Sequence, residues 1–86
     1  MNKIAGEPHL EYMYSYISND DALSGNFERQ YDFIRGWNPL SALEEVLVYQ
    51  PPESGAYLVE IIDFKQKGRP VVAKYDPHGF TEPIDE

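Results

Sequence analysis

The sequence of 86 residues predicts an α+β domain, in which one helix packs on a small antiparallel sheet. Two observations lead to this prediction. Residues 39–49 have helical periodicity, and residues 56–75 have the composition of a β-hairpin. The length fits one domain, which we assign to residues 1–75, and residues 76–86 are predicted to form an irregular acidic tail.

The first candidate element, residues 9–17, fits either a strand or a helix. In a strand, the alternate positions from Tyr12 to Tyr16 place three tyrosines on one side. A helix would instead group four residues on one face: Leu10, Met13, Tyr14 and Ile17. Because tyrosine favours strands over helices, we predict a strand.

The next stretch contains loop residues and a second ambiguous element. Residues 18–21 and 24–26 are built from Ser, Asn, Asp and Gly, which is typical of loops. Residues 26–35 fit a strand, or a helix that begins at Asn26 and ends before Gly36. We favour the strand, which makes the element order ββαββ. The alternative order is ααββ.

The clearest helix signal covers residues 39–49. Asn38 is a good N-cap, and Pro39 suits the first helical position because its missing N–H would have no intrahelical partner. Four apolar residues recur at helical spacing and predict the buried stripe: Leu40, Leu43, Val46 and Leu47. The helix is expected to end before residues 51–52, which are both proline.

The hairpin is predicted from two β-rich runs, residues 56–64 and 69–75, joined by a turn that ends at Gly68. A left-handed Gly68 in a three-residue loop sets the register. The predicted pairs are Glu60 with Lys74 and Ile62 with Val72. Because Pro70 cannot donate to a strand ladder, the second arm is expected at a sheet edge.

The charge of the chain is −8 and is unevenly distributed. Residues 1–64 contain 11 acidic and 3 basic side chains, whereas the remaining residues contain equal numbers of each. Such a surface attracts basic partners and repels nucleic acid, which makes direct DNA or RNA binding unfavourable.

Sequence motifs for catalysis and cofactor binding are lacking. The chain has no cysteine, no G-x-S-x-G elbow and no phosphate-binding glycine loop. His9 and His78 lie in different segments without metal-ligand spacing, and the adjacent acids at 20–21 and 44–45 diverge too much to form a catalytic pair. We therefore expect no enzymatic activity, no cofactor and no metal.

The predicted location is cytoplasmic. The longest uncharged runs have 8 residues, which is too short for a membrane span of about 20 apolar residues. The first residues also lack the apolar region of a signal peptide.

The remaining function is recognition of another protein. Tyrosine is enriched at interfaces, and carboxylates can accept bidentate hydrogen bonds from arginine where phosphates would otherwise bind. If the tyrosines of residues 12–16 face solvent, they form an aromatic and acidic patch with nearby carboxylates. The predicted partner-binding residues are Asp20, Asp21, Glu28, Asp32, Glu44, Glu45, Tyr14 and Tyr16.

In size, acidity and lack of cysteine, the chain resembles immunity proteins of nuclease toxins and phage-encoded anti-defence proteins. That resemblance implies a small acidic inhibitor that occludes the groove of a basic nucleic-acid-handling protein, such as a nuclease or a defence effector. The alternative is a structural or regulatory interaction module, including a homodimer, whose charge serves only solubility.

Overall fold

The computed structural model describes residues 10–49 and 51–79, and it has the predicted α+β fold. The elements of this part of the chain are β1 (Leu10–Ser18), α1 (Asn19–Leu23), β2 (Gln30–Gly36), α2 (Pro39–Tyr49), β3 (Ala56–Ile62) and β4 (Val71–Tyr75). The strands form one antiparallel sheet in the order β2-β1-β3-β4, so β2 and β4 are its edges.

The core lies between α2 and one face of the sheet. Strand alternation directs Tyr12 and Tyr14 to this face, where they are 7% and 3% exposed. The same cluster contains three apolar residues from the strands and three from the helix: Ile34, Val59, Ile61, Ala42, Leu43 and Val46. We call this side of the sheet the covered face and the other side the open face.

The condition for an aromatic and acidic patch, a tyrosine row that faces solvent, is therefore not met at Tyr12 and Tyr14. Tyr12 and Tyr14 share the covered face with the aliphatic residues of β2 and β3, and burial of their rings removes a large apolar area from water. Tyr16 is only partly buried at the edge of this core. Tyr14 consequently cannot serve as the exposed anchor that was predicted.

Helix α2 has the predicted bounds and a reciprocal cap. The Asn38 Oδ1 atom accepts the Ser41 N–H at 2.8 Å, and Ser41 Oγ accepts the backbone N–H groups of Trp37 and Asn38 at 2.8 and 3.2 Å. The predicted stripe is wrong at Leu40, which is 68% exposed, whereas Ala42 is fully buried. A small residue lies there because the helix backbone closely approaches the sheet.

That close approach occurs at Gly36, the last residue of β2. A Cβ atom added to Gly36 would lie 2.7 Å from the Ala42 backbone nitrogen. Only two residues separate β2 from α2. The helix therefore turns back tightly onto the sheet, and glycine at this position leaves room for it.

Two predictions for the segment between β1 and α2 need correction. Residues 19–23 form the short helix α1 instead of a loop, because Ser18 Oγ accepts the Asp21 N–H at 3.1 Å and caps it. The second strand is present but begins at Gln30, and residues 26–29 precede it as irregular chain. There, Asn26 Oδ1 accepts the Glu28 N–H at 3.1 Å, which stabilises a turn instead.

The hairpin has the predicted Glu60–Lys74 pair, but its register changes farther along. Ile62 pairs with Val71 and not with Val72, because an irregularity lies between Ile61 and Ile62. The connection is also longer than predicted and spans residues 63–70. Gly68 is left-handed as expected, with φ of 84°, and β4 is the predicted edge strand.

The predicted tail begins in the described part of the chain as a turn at residues 76–79. The rest of that tail, residues 80–86, lies outside the described residues. The same holds for His9 at the predicted start of the first strand.

Candidate protein-binding surface

The acidic residues at one end of the sheet form the candidate surface. At this end β1 finishes, β2 and β3 begin, and the structure adds α1 and the turn before β3. Residues 18–28 and 51–56 contain no lysine or arginine. They contain four carboxylates, which we call the acidic end: Asp20, Asp21, Glu28 and Glu53.

Hydrogen bonds from α1 to the turn before β3 hold the acidic end together. The Asn19 backbone N–H donates to the Gly55 carbonyl at 2.9 Å, and Asn19 Nδ2 donates to the Ser54 carbonyl at 3.0 Å. The Asp20 N–H donates to Ser54 Oγ at 3.0 Å. Carboxylates more than 30 positions apart in the sequence are therefore brought together by fixed backbone contacts.

Gly55 makes this junction sterically possible. Its φ is +95°, a conformation that L side chains rarely adopt, and an added Cβ would lie 2.8 Å from Asn19 Nδ2. A larger residue would strain this backbone conformation and displace the Asn19 side-chain amide, which donates to the Ser54 carbonyl.

An open cleft of about 330 Å³ lies between α1 and the turn. Its lining includes Asp20, Asp21 and Glu53 together with Tyr16 and Gln30. The ring of Tyr16 stacks on Tyr14 at a centroid separation of 6.1 Å, which fixes the position of the aromatic side chain in the cleft. The cleft therefore combines acceptors for cationic groups with one partly exposed aromatic ring.

The opposite end of the sheet has the opposite charge balance. Among the described residues, the acids at this end are Glu11 on β1 and Asp63 after β3. Four basic residues lie there, at the end of β2 and in the β3–β4 connection: Arg35, Lys65, Lys67 and Arg69. Across the described residues, charge is thus separated along the strand direction.

The basic residues nearest to the acidic end are engaged by other carboxylates. Arg29 Nε lies 3.3 Å from Glu60 Oε1, and only 16% of the Arg29 side chain is exposed. Lys74 Nζ lies 4.0 Å from Asp76 Oδ2. Each of these two cations therefore interacts with a carboxylate, Glu60 or Asp76, that is not one of the four in the acidic end.

The structure brings together only part of the predicted site. Asp20, Asp21 and Tyr16 line the cleft, and Glu28 lies at the same end before β2. Glu44 and Glu45 lie on α2, outside the cleft lining. These two carboxylates are therefore separate from the cleft.

Asp32 has a different position, on the edge strand β2. Its Oδ1 atom accepts the backbone N–H of Phe33 at 2.8 Å. Burial raises the pKa of the Tyr14 hydroxyl above its ordinary value, and the Asp32 carboxylate and then the neighbouring Tyr16 hydroxyl raise it further. Asp32 therefore influences the backbone of the edge strand and the buried Tyr14 hydroxyl, and it is not part of the cleft lining.

Glu53 is the acidic residue of the cleft that sequence reasoning missed. It is the single acid of the Pro-Pro-Glu-Ser-Gly turn, and no neighbouring residue in the sequence marks it as part of a binding site. Its role depends on the contact between that turn and α1, which joins positions distant in the sequence.

Comparisons with known proteins give no family: no family model matches the chain, and no curated protein or solved structure is significantly similar to it. Among residues 10–49 and 51–79, no helix has both the length and the apolar character needed to cross a membrane. In the same residues, no three His, Asp or Glu side chains are grouped as metal ligands.

Proposed function

We propose that this protein binds and inhibits a basic, nucleic-acid-handling protein, using the acidic end to occupy the groove that otherwise holds nucleic acid. The observation that carries the proposal is the grouping of four carboxylates in two segments without any lysine or arginine. The anti-defence or immunity role expected from the sequence profile is one setting for such an inhibitor.

The mechanism is steric occlusion assisted by charge. The net charge of −8 accelerates encounter with a basic surface, and the charge separation orients the chain with its acidic end forward. At contact, carboxylates accept hydrogen bonds from arginine and lysine side chains that otherwise bind phosphates. Tyr16 offers a ring for stacking against a guanidinium or a neighbouring apolar group.

The fixed backbone of the acidic end favours tight binding. Because α1 and the turn are joined by three hydrogen bonds, the carboxylates lose little additional backbone freedom on binding. A flexible acidic tail would have to order itself at the same step, which costs part of the binding free energy.

The test compares two variants with equal changes in net charge. Asp20→Asn/Glu53→Gln removes two charges from the cleft, and Glu44→Gln/Glu45→Gln removes two charges from α2. A partner captured from the native host is purified, and its Kd for each variant is measured by calorimetry. We expect the cleft variant to bind at least about tenfold more weakly, which corresponds to about 1.4 kcal/mol, and the α2 variant to bind within about threefold of wild type.

Salt and nucleic acid provide the second part of the test. Affinity should fall steeply between 50 and 300 mM salt, since exposed charge interactions are screened. Duplex DNA or RNA should compete with the protein for the partner. Equal effects of the two double variants, or binding that nucleic acid does not displace, would contradict the proposal.

A further inference from the structure

The two edges of the sheet differ in how they resist pairing with another strand. Strand β4 has five residues, a register irregularity beside it and basic side chains in the preceding turn. These features discourage edge-to-edge contact. Strand β2 has seven residues, Gln30–Gly36, without proline or lysine.

The backbone of β2 has groups available for pairing on its outer side. The Phe33 N–H donates to the side chain of its neighbour Asp32 at 2.8 Å, so this N–H points away from β1. Because backbone groups alternate along an antiparallel strand, Tyr31 and Arg35 direct theirs to the same side.

We propose that β2 pairs with β2 of a second copy of this chain, in antiparallel orientation about a two-fold axis at Phe33. This register pairs all seven residues of the strand. It places Tyr31 opposite Arg35 of the second copy, where a cation–π contact forms on the open face. A register centred on Asp32 opposes two like charges, and one centred on Ile34 pairs only five residues.

The open face carries an apolar row that this pairing would extend. Phe33, Met13, Ile62 and Val71 are direct cross-strand partners from one edge of the sheet to the other. Phe33 is 52% exposed, and its ring meets Phe64 edge-on at 5.4 Å. Pairing at Phe33 joins two such rows into one of eight residues, which buries part of this exposed apolar surface.

Charge separation favours the same arrangement. Antiparallel pairing sets the acidic end of one copy beside the end of the other copy that carries the Arg35 and β3–β4 turn cations. Two chains of net charge −8 would otherwise repel each other. The second copy is therefore complementary in backbone, side-chain row and charge.

Asp32 regulates access to this edge. Its carboxylate occupies the Phe33 N–H that would pair with the second copy, so pairing requires the carboxylate to move away. Asp32→Ala should therefore tighten the dimer several-fold.

Analytical ultracentrifugation of the full chain tests the proposal with two matched variants. Phe33 and Val71 lie in the same row, are 52% and 49% exposed and occupy opposite edges. Phe33→Glu sets two carboxylates against each other at the axis and should weaken dimerisation by at least about thirtyfold. Val71→Glu should change it by less than about threefold, because Val71 lies on the far edge.

Amide exchange provides a second readout in the wild-type protein. Exchange at Tyr31, Phe33 and Arg35 should slow as the protein concentration rises. A chain that remains monomeric at about 1 mM, or a dimer that Val71→Glu weakens as much as Phe33→Glu does, would overturn the proposal. The test of the dimer is separate from that of the proposed function, because Phe33→Glu and Val71→Glu leave the cleft carboxylates unchanged and are compared by self-association alone.

Discussion

The two faces of the sheet differ in a way that composition does not predict. The covered face buries tyrosines, which carry a polar hydroxyl, whereas the open face leaves Phe33 and Val71 about half exposed. The position of α2 decides this outcome, because Gly36 and Ala42 let the helix backbone approach only one face. Backbone clearance at Gly36 therefore allows α2 to bury the row on the covered face.

The open face is not uniformly exposed. Ile17 and Leu58 are 0% and 2% exposed although they lie outside the cluster packed by α2. Near them, Tyr57 stacks on His78 at 4.5 Å and meets Phe27 at 6.0 Å. Tyr57 of β3 thus joins Phe27 and His78, which lie in connecting segments, into an aromatic group at the acidic end of the sheet.

The largest predicted effect is on the covered face. Gly36→Ala should lower the free energy of unfolding by about 3 kcal/mol, because the new Cβ overlaps the α2 backbone and forces the helix away. Urea unfolding monitored by circular dichroism measures the loss.

Gly25→Ala is the comparison variant for that experiment. Gly25 has φ of +81° with nothing within 4 Å of an added Cβ, so only the backbone conformation is strained. A loss of about 1 kcal/mol is expected. If Gly25→Ala is as destabilising as Gly36→Ala, close packing of α2 does not decide which face is covered.

The second predicted effect is on the polar row of the open face, in which Ser15, Glu60 and Lys74 are cross-strand neighbours. Ser15 is 1% exposed and donates a long hydrogen bond of 3.4 Å to Glu60, which also pairs with Arg29. Glu60→Ala leaves Arg29 without this carboxylate and should lower stability by about 1–2 kcal/mol, allowing for the partial exposure of the pair.

Lys74→Ala is the matched variant for the polar row. Lys74 lies opposite Glu60 but is about half exposed, and its contact with Asp76 is long at 4.0 Å. Its loss should lower the free energy of unfolding by less than about 1 kcal/mol. Equal losses in the two variants would mean that the Arg29–Glu60 pair adds nothing beyond surface charge.

The sequence predicts those parts of the fold that depend on local signals. The bounds of α2 follow from Asn38, Pro39 and the following prolines. The Glu60–Lys74 pair is present, but next to the turn Ile62 pairs with Val71, and the irregularity between Ile61 and Ile62 is what restores the predicted pair. Errors arise where distant residues decide. Leu40 fits the helical stripe, but the close approach at Gly36 rotates Ala42 inward instead.

In the candidate site, too, local signals are predictable from the sequence and contacts between distant residues are not. Asp20 and Asp21 could be selected from local charge, but their cleft depends on the turn that contributes Glu53. The prediction that Tyr14 is an exposed anchor is wrong, because strand alternation identifies which residues share a face but not which face the helix covers.

The smallest predicted effect separates the covered tyrosine from an exposed one at alkaline pH. The pKa of Tyr14 is raised in the folded state, first by burial and then by Asp32. Its contribution to stability is therefore complete below about pH 10 and decreases as pH rises through the raised pKa, by at most about 1.4 kcal/mol per pH unit.

Tyr14→Phe should remove the contribution of Tyr14 to the loss of stability at alkaline pH, as measured by urea unfolding at pH 8, 10 and 11. Tyr31→Phe is the matched control, because it removes the same hydroxyl from a position that is 60% exposed on the open face. Identical pH profiles for the two variants would show that burial on the covered face does not hold the Tyr14 proton, because the two variants remove the same hydroxyl and differ only in the face on which it lies.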